Sequence, residues 1–498
     1  MPAKPLMIQG TGSHVGKSIV VTALCRIFAR QGYRVAPFKA QNMALNSYVT
    51  ADGGEIGRST VEQAFAAGIA PTVEMNPILL KPNSEVGSQV ILLGKPIGNY
   101  AARDYWKLKP ELFEIVQTAL RQLLADYEIV VIEGAGSPAE INLKTHDLVN
   151  MRVAKWAQAP VVLVGDISLG GVFAWLYGTL ALLPADERAL VRATLINKFR
   201  GDPTLFGDGL QQLETLTGIP VLGVVPDLGE LGIGEEDTVP TSHFGPWSPD
   251  DTLLRIAVVH YPYRSNFTDF DRFFREAGVE VRFVTDPAML ERCHVIFLPG
   301  SKQTIADLQW LRDHGFEAAL RRRIAEGAFL VGLCGGFQML GERLEDPDQV
   351  ESSRVESPGL GLLPIATRFQ REKALYQVEA VCAETGLALR GYEIHMGESR
   401  PLHDNRPVVR IQARNGQAVN LLDGAQDDSG RVWGCYIHGL FDNDAFRRRF
   451  LADVREAFAL PAPQGSGTEH DSPYERLADA FEQHIDMTLL EKILDRGA

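Results

Sequence analysis

The sequence lacks the features that mark several classes of protein. Its five cysteines are scattered and form no CxxC pair, so neither a disulfide framework nor a structural zinc site is expected. No run of about 18 apolar residues could cross a membrane, and there is no long block of lysine and arginine. At a formal net charge of −14, the chain lacks the positive field that holds nucleic acid or an anionic lipid surface. A cytoplasmic protein with neither nucleic-acid nor membrane partners is therefore predicted.

Short β-branched runs alternate with longer amphipathic stretches along most of the 498 residues. This alternation is typical of parallel sheets covered by helices. In the first half the predicted strands are Leu6–Gln9, Tyr33–Pro37, Glu128–Ile132, Pro160–Val164 and Ala193–Ile196, with helices over Lys17–Arg30 and Glu111–Asp126. In the second half the predicted strands are Leu254–His260, Val279–Val284, His294–Leu298 and Phe329–Leu333. The predicted fold class is α/β, with two doubly wound domains whose sheets are mainly parallel.

Two segments rich in Gly, Pro and acidic or small polar residues interrupt this pattern and predict the domain boundaries. The predicted division is a first domain over 1–230, a linker over 231–251, a second domain over 252–460, and a spacer with a C-terminal helix over 461–498. That last helix is predicted as one amphipathic element over Tyr474–Arg496, because its apolar residues recur every four positions.

A phosphate-binding loop is predicted at GTGSHVGKS, which follows the first strand and opens the first helix. Glycines such as Gly12 and Gly16 allow backbone N–H groups to point at an anion, and the helix N-terminus favours negative charge. Lys17 would reach the terminal phosphates of a nucleotide, and Ser18 would bind magnesium. Thr11 stands where the usual spacing has glycine, so the loop is a variant. The alternative is a glycine-rich turn with an incidental lysine.

Several polar residues near predicted strand ends are candidates for the remainder of this site. Glu133 ends an apolar strand where open α/β sheets collect ligands, and Asp52 lies in a glycine-rich loop, so both are candidate magnesium ligands. Asn197 is a candidate contact for the nucleotide base, with Lys198 beside it. Candidate substrate-binding residues are Gln41, Asn42, Lys144 and Asp147. The alternatives are a strand-end carboxylate, a helix cap and polar loops that face water.

A nucleophilic cysteine is predicted in FLVGLCGGFQML, where an apolar strand runs into Cys334 and a helical pattern follows. Flanking glycines tolerate the strained turn of a nucleophile elbow, and the helix N-terminus favours a thiolate. His438, at the end of another strand, is the predicted base, while His260 and His395 are weaker candidates. Backbone donors for an oxyanion are predicted from Gly300, Ser301 and Gly335. The alternative for Cys334 is an ordinary buried cysteine.

A phosphate loop and a cysteine elbow on one chain suggest that ATP activates a carboxylate while the cysteine releases nitrogen for it. Cys334 with its glycines, the Pro-Gly-Ser turn and His438 resemble class I glutamine amidotransferases. The loop and VVIEGAGS resemble the P-loop proteins of the dethiobiotin synthetase type. With FKAQNMALNSYVT, DGGEIGRST, MNPILLKP, THDLVNM, VLVGDISLGGVFA, GYEIHMG and CYIHGLFDN, the chain is similar over nearly its whole length to the cobyric acid synthase family.

This resemblance implies amidation of four peripheral carboxylates of adenosylcobyrinic acid a,c-diamide, with ATP and Mg²⁺ required and L-glutamine as the nitrogen donor. The alternatives are a cobyrinic acid a,c-diamide synthase and a P-loop ATPase switch with a degenerate amidotransferase-like module. One departure is visible. Many class I amidotransferases carry a glutamate two residues after the histidine, and this chain has Leu440 there. The sequence does not indicate which group orients His438.

Overall fold

The structure is a computed structural model that describes residues 3–82, 87–202, 206–229, 233, 239–352, 354–463 and 472–496. It has two compact units: the first comprises Met1–Ala44, Ile56–Ile233 and His470–Ala498, and the second comprises Leu45–Glu55 and Gly234–Glu469. Residues 231, 232 and 234–238 of the predicted linker and residues 464–471 of the predicted spacer lie outside the described residues.

Up to residue 226 the chain alternates strands and helices. The strands are β1 (Lys4–Gly10), β2 (Val35–Phe38), β3 (Gln41–Met43), β4 (Ser47–Val49), β5 (Glu55–Gly57), β6 (Ile78–Pro82), β7 (Gly87–Leu92), β8 (Lys95–Ala101), β9 (Ile129–Glu133), β10 (Val161–Asp166), β11 (Val191–Phe199) and β12 (Val221–Pro226). The helices are α1 (Lys17–Arg30), α2 (Arg58–Ala66), α3 (Ala102–Asp126), α4 (Met151–Ala157), α5 (Val172–Leu182), α6 (Ala185–Arg188) and α7 (Gly209–Thr217).

The first unit is built on a six-stranded sheet in the order β12-β11-β10-β1-β9-β2, and all of its pairings are parallel. Successive residues of β1 point into two separate cores: Met7 packs into one and Leu6 and Ile8 into the other. Helices therefore cover both faces of the sheet, as the predicted doubly wound fold requires. Parallel strands bring the ends of β1, β2, β9, β10 and β11 to one edge.

The predicted helix Glu111–Asp126 is shorter than the observed α3, which begins at Ala102 and contains Pro110. Proline lacks the N–H that an interior helical position donates, which is why a sequence-based helix starts after it. A further sheet, β3-β6-β7-β8, precedes α3 and was not predicted.

The second half continues the alternation and adds longer strands. The strands are β13 (Leu254–Val259), β14 (Arg264–Ser265), β15 (Val279–Val284), β16 (Val295–Leu298), β17 (Gly300–Ser301), β18 (Phe329–Leu333), β19 (Arg343–Glu345), β20 (Glu356–Pro358), β21 (Ile365–Cys382), β22 (Ala388–Pro401), β23 (Val409–Arg414), β24 (Gln417–Asp423), β25 (Ala425–Gln426) and β26 (Val432–Cys435). The helices are α8 (Thr304–Asp313), α9 (Phe316–Ala325), α10 (Gly335–Leu340) and α11 (Asp444–Ala457).

The second unit also has a central six-stranded sheet, in the order β15-β13-β16-β18-β26-β25. Its pairings are parallel except for β25 with β26. The prediction of two α/β units with mainly parallel sheets is thus confirmed. A second, largely antiparallel sheet, β20-β19-β21-β23-β24 with β22 on β21, was not predicted.

The C-terminal region forms two helices, α12 (Pro473–His484) and α13 (Met487–Arg496), so the prediction of one continuous helix is wrong. Ile485 is extended and pairs with Gly223 at the β12 edge of the first sheet. The Asp486 N–H donates to the Leu222 carbonyl at 2.7 Å. The chain leaves the helical conformation here because its backbone groups bond to an exposed sheet edge. The apolar residues recur every four positions on both sides of this break, so the sequence pattern did not indicate it.

Both C-terminal helices belong to the first unit. Leu477 and Phe481 are buried in the same core as α1. On the outside, Arg30 forms ion pairs with Asp479 and Glu482, each at 2.5 Å. No helix in the described part of the chain is both long and apolar enough to span a membrane.

We expect Phe481→Ala to destabilise the first unit, because Phe481 is 1% exposed and its removal leaves a cavity beneath α1. The expected loss is about 3–5 kcal/mol of unfolding free energy, measured as a lower urea midpoint. Phe65→Ala is the matched control, since Phe65 is 37% exposed and should cost far less. Equal midpoints for Phe481→Ala and the unaltered protein would show that α12 is not part of this core.

Candidate functional site

The predicted phosphate loop lies between β1 and α1, at the carboxyl edge of the first sheet. The Lys17 ammonium donates to the Gly12 carbonyl at 2.7 Å and to the Gly136 carbonyl at 3.1 Å. Gly16 has a φ of +96°, and a Cβ there would lie 2.2 Å from Nδ2 of Asn197. That amide donates to the Val15 carbonyl at 2.9 Å. Glycine is therefore required at position 16, and the structure gathers Gly12, Gly16, Lys17 and Asn197 around one loop.

Ser18 and Glu133, two of the three predicted magnesium ligands, are in direct contact. The Ser18 hydroxyl donates to Oε1 of Glu133 at 2.8 Å. Lys39 lies 3.1 Å from the same oxygen, and the Gln63 amide donates to Oε2 at 2.5 Å. Mg²⁺ prefers oxygen ligands and takes only one or two carboxylates beside phosphate and water. The hydroxyl and carboxylate oxygens of Ser18 and Glu133 fit that requirement.

Sequence reasoning missed Lys39 and Gln63. The sheet register explains the position of Lys39. Phe38 of β2 pairs with Ile132 of β9, so the next residues along these neighbouring strands are Lys39 and Glu133. The choice of β2 as the neighbour of β9 is a feature of topology that the sequence does not display. Gln63 comes from α2, which packs on β2 and whose buried face includes this polar side chain.

Asp166 is a further carboxylate at this edge that was not predicted. It pairs with Asn197 in the register of β10 and β11, and its Oδ2 lies 3.0 Å from the Lys198 ammonium. Burial would raise the pKa of Asp166, but hydrogen bonds from Ser168 and Lys198 outweigh burial and lower the pKa below its ordinary value. Asp166 is thus held ionised beside Lys198, whose ammonium also donates to the His14 carbonyl at 2.5 Å.

Asp52, the third predicted magnesium ligand, belongs to the second unit. It is exposed, and its Oδ1 accepts a hydrogen bond from the Thr50 hydroxyl at 2.5 Å. Its metal role stays a prediction.

The four candidate substrate residues lie in the first unit and have partners within the protein. Oε1 of Gln41 accepts from the Tyr105 hydroxyl at 2.5 Å, and Oδ1 of Asn42 accepts from the Met43 N–H at 2.9 Å. Lys144 pairs with Glu187 at 2.6 Å.

Asp147 has a structural use at the start of α4. Its Oδ1 accepts the N–H groups of Val149 and Asn150, and its Oδ2 accepts that of Arg152. It satisfies helix-terminal donors that would otherwise lack partners. Contact of these four residues with a substrate stays a prediction.

Cys334 occupies a sharp turn between β18 and α10, with φ +51° and ψ −109°. This is a strained conformation for a residue with a side chain. Close packing enforces it: a Cβ at Gly336 would lie 1.9 Å from the Leu298 carbonyl oxygen, and one at Gly332 would lie 2.6 Å from that of Gly336. The elbow geometry expected from the glycines is present, and Cys334 Sγ lies 3.6 Å from the Ile394 carbonyl oxygen.

Asp269 orients His438. It supplies the carboxylate that the sequence lacks two residues after the histidine, where Leu440 stands. His438 Nδ1 lies 2.7 Å from Oδ2 of Asp269, and Oδ1 of Asp269 accepts the Gly439 N–H at 2.8 Å. Both side chains are buried. Asp269 comes from a 3₁₀ turn, Phe267–Phe270, distant in sequence and without a recognisable motif. No pattern in the sequence links it to His438.

The protonation of His438 is shifted by its surroundings. Burial on its own would lower the pKa of His438, but the Asp269 carboxylate and Cys334 favour the charged ring and raise the pKa from 6.5 to about 10. A histidine held protonated at neutral pH can donate a proton to a leaving group.

The predicted oxyanion residues lie around the same point. A Cβ added at Gly335 would be 2.6 Å from the Ser301 backbone nitrogen, and one at Gly300 would be 3.1 Å from Cε1 of His438. The Ser301 hydroxyl is bonded to Oδ2 of buried Asp307 at 2.5 Å. The structure therefore brings Gly300, Ser301 and Gly335 together with the elbow and His438.

The two weaker histidine candidates have other environments. Burial and nearby Arg264 lower the pKa of His260 to about 4, and its ring meets Phe244 edge-on. His395 stacks on Tyr436 at 3.8 Å, and its nearest carboxylate, on Glu393, is 3.7 Å away and bound by an arginine. Among the described residues, neither ring lies as close to a carboxylate as His438 does to Asp269, at 2.7 Å.

Comparison with known proteins finds a different family model in each half of the chain. Residues 6–238 match the CobQ/CobB/MinD/ParA nucleotide binding domain, and residues 255–446 match the CobB/CobQ-like glutamine amidotransferase domain. Cobyric acid synthases from Sorangium cellulosum and Chloroflexus aggregans are 49% and 50% identical to this chain. Each match covers 100% of this chain and at least 99% of the relative. That from Syntrophobacter fumaroxidans is 47% identical over 99% of both chains. With such identity along its whole length, the chain belongs to the cobyric acid synthase family.

Proposed function

We propose that this enzyme amidates the four peripheral carboxylates b, d, e and g of adenosylcobyrinic acid a,c-diamide to give adenosylcobyric acid, using ATP and glutamine. The observation that carries the proposal is the buried Cys334–His438–Asp269 arrangement in a chain that also has a phosphate loop with Lys17 and with Ser18 bonded to Glu133. The relatives' shared name and full-length identity support the choice of a corrinoid acid as substrate.

Glutamine hydrolysis is assigned to the second unit. Cys334 Sγ attacks the side-chain carboxamide carbon as a thiolate beside protonated His438, and the oxygen that gains charge is bound by backbone N–H groups at Gly335 and Ser301. His438 then gives its proton to the departing nitrogen, which leaves as ammonia and a glutamyl thioester remains. Water, deprotonated by His438, hydrolyses the thioester to glutamate, which restores the Cys334 thiolate and the protonated His438.

Carboxylate activation is assigned to the first unit. A substrate carboxylate oxygen attacks the γ-phosphorus of ATP, the bond to the β-phosphate oxygen breaks, and an acyl phosphate and ADP result. Ammonia displaces phosphate from the acyl carbon and forms the amide. Lys17 binds the terminal phosphates throughout, and Ser18 and Glu133 would hold Mg²⁺, which supplies neutralising charge to those phosphates.

The location and partners follow from the same proposal. The five cysteines are unpaired and buried, which supports a reducing cytoplasm. Corrinoid, ATP and glutamine are the expected small-molecule partners, and nucleic-acid binding is not expected.

Mass spectrometry of the corrinoid product tests the proposal directly. Given adenosylcobyrinic acid a,c-diamide, ATP, Mg²⁺ and glutamine, the protein is expected to add four amides. An active protein that leaves this substrate unchanged and instead converts cobyrinic acid to its diamide would be the a,c-diamide synthase. ATP hydrolysis without amidation of either compound would indicate a P-loop switch.

Cys334→Ser should abolish amidation driven by glutamine, whereas a high concentration of ammonium salt should still support it. The reason is that only ammonia release depends on the thiol. Cys382→Ser is the matched control, because this buried cysteine lies outside the elbow and should leave the glutamine-driven rate unchanged. A folded Cys334→Ser protein that ammonia fails to rescue would contradict the separation of the two reactions.

Lys17→Ala should lower ATP-dependent amidation about 100-fold or more with either nitrogen donor, because it removes charge stabilisation from the transferred phosphoryl group. Lys95→Ala, an exposed lysine on β8, is the control and should have no effect. Product formation is followed by mass spectrometry. Unchanged amidation in Lys17→Ala would exclude the loop as the ATP site.

Asp269→Asn should lower kcat for glutamine hydrolysis about 100-fold, less than the loss known for a serine triad because a thiol is the stronger nucleophile. With the charge gone, burial lowers the pKa of His438. The proton that the unaltered enzyme keeps up to about pH 10 is then lost at a lower pH. The alkaline limb of kcat against pH should therefore move down in pH. Asp271→Asn is the control, and an unshifted limb in Asp269→Asn would exclude Asp269 as the partner.

A further inference from the structure

Eleven residues from the N-terminal half of the chain belong to the second unit. Residues Leu45–Glu55, here called the 45–55 segment, pack with the amidotransferase unit although the chain on either side of them belongs to the first unit. The segment includes β4, which contacts β22. Its second and third residues, Asn46 and Ser47, are buried.

The segment bonds to the turn that carries Asp269. The Ser47 N–H donates to Oδ1 of Asn266 at 3.0 Å, and Oδ1 of Asn46 accepts the Phe267 N–H at 3.2 Å. Asn266 and Phe267 lead directly into the 3₁₀ turn Phe267–Phe270. The two reciprocal hydrogen bonds therefore fix the start of the turn whose carboxylate binds His438.

The segment also bonds to the residue stacked on His438. The Tyr392 ring lies 5.4 Å from the His438 ring at an interplanar angle of 24°, and the two backbones exchange hydrogen bonds of 3.1 and 2.9 Å. The Tyr392 hydroxyl donates to the Ser47 carbonyl at 3.2 Å, and the Tyr48 ring lies 5.0 Å from that of Tyr392. Both neighbours that fix the histidine ring, Asp269 and Tyr392, are thus tied to Asn46–Tyr48.

The far end of the segment is anchored independently. Buried Glu55 pairs with Lys373, whose side chain is also buried, and accepts a hydrogen bond from the Ser47 hydroxyl at 2.9 Å. The Gln377 amide donates to the Val49 carbonyl. A buried ion pair is costly unless both partners remain in place. The segment is consequently a fixed part of this unit.

In the first unit, the stretches of chain before and after the segment are joined by hydrogen bonds to one side chain, that of Asn76. Oδ1 of Asn76 accepts the Gly57 N–H at 3.0 Å, and Nδ2 of Asn76 donates to the Lys39 carbonyl at 3.0 Å. The Asn76 side chain therefore bonds to residues on both sides of the 45–55 segment, Lys39 before it and Gly57 after it.

From these contacts we infer that the 45–55 segment is a positioning element of the glutaminase site, with Asn46, Ser47 and Tyr392 as positioning residues that set His438 through Asp269 and through ring stacking. The amidotransferase half of the sequence alone does not complete its own site. This inference rests on the proposed glutaminase role of Cys334 and His438.

Glutamine hydrolysis by the full chain tests this role. Asn46→Ala removes the acceptor for the Phe267 N–H, so Asp269 should lose its alignment with His438. Since a misplacement of about 1 Å can cost 100-fold in rate, we expect kcat to fall about 10-fold or more, with KM for glutamine little changed. The alkaline limb of kcat against pH should also shift down, which a general loss of stability would not produce. Asn46→Asp keeps an acceptor oxygen and should recover part of kcat.

A milder variant keeps the test decisive if Asn46→Ala fails to fold. Tyr392→Phe removes only the hydroxyl that donates to Ser47 and should lower kcat by about 3-fold, in the range set by loss of one hydrogen bond. Thr50→Ala is the matched control. Its hydroxyl is in the same segment, but among the described residues it bonds only to Asp52 and Gly54, so kcat and the alkaline limb should stay unchanged.

The outcomes separate this inference from the proposed function. If Cys334→Ser abolishes glutamine hydrolysis while Asn46→Ala and Tyr392→Phe keep the kcat and the pH limb of the unaltered protein, the positioning role is overturned and the glutaminase assignment stands. If Cys334→Ser still hydrolyses glutamine, the proposed function itself fails. Amidation driven by ammonium salt should persist in Asn46→Ala, because only glutamine hydrolysis depends on His438.

Discussion

Each of the two candidate sites is organised by one buried carboxylate that must be compensated by nearby donors. An isolated buried carboxylate is unstable by several kcal/mol, so hydrogen-bond donors and cations have to collect around it. Around Glu133 these are Ser18, Lys39 and Gln63, and around Asp269 they are the ring of His438 and the Gly439 N–H. Ser18 and His438, which satisfy these carboxylates, are also groups that the proposed mechanism uses.

Parallel sheets explain why these groups meet. In each unit the strands end at a common edge, and the polar residue that follows each strand lies there. Lys17 lies at the end of the loop after β1, Glu133 ends β9, Asn197 lies in β11, and Cys334 follows β18. The antiparallel sheet of the second unit also contacts these residues: through β22, the Ile394 carbonyl lies next to Cys334 and the Tyr392 ring stacks on His438.

A feature could be predicted from the sequence where the interactions that determine it are between residues close together in the chain. The helix Lys17–Arg30 and the strands Val279–Val284 and Phe329–Leu333 were predicted with their observed bounds, because hydrophobic period and flanking glycines are local signals. The partner of His438 was not found, because Asp269 meets it only through tertiary structure. The break at Ile485 was missed for a similar reason: pairing with Gly223 at a sheet edge outweighs a continuous helical pattern.

The net charge of −14 does not prevent a polycarboxylate substrate from binding, because surface charges and the groups inside a site act over different distances. Charges on the exposed surface are screened beyond about 8–10 Å at physiological ionic strength. Inside a site, oriented N–H groups and a single ammonium act over a few ångströms in a medium of lower dielectric constant. Lys17, 7% exposed and held by two carbonyl oxygens, is such a charge. Under the proposed function, anion binding is thus expected to depend on the local geometry of the loop, and the overall field opposes it only weakly.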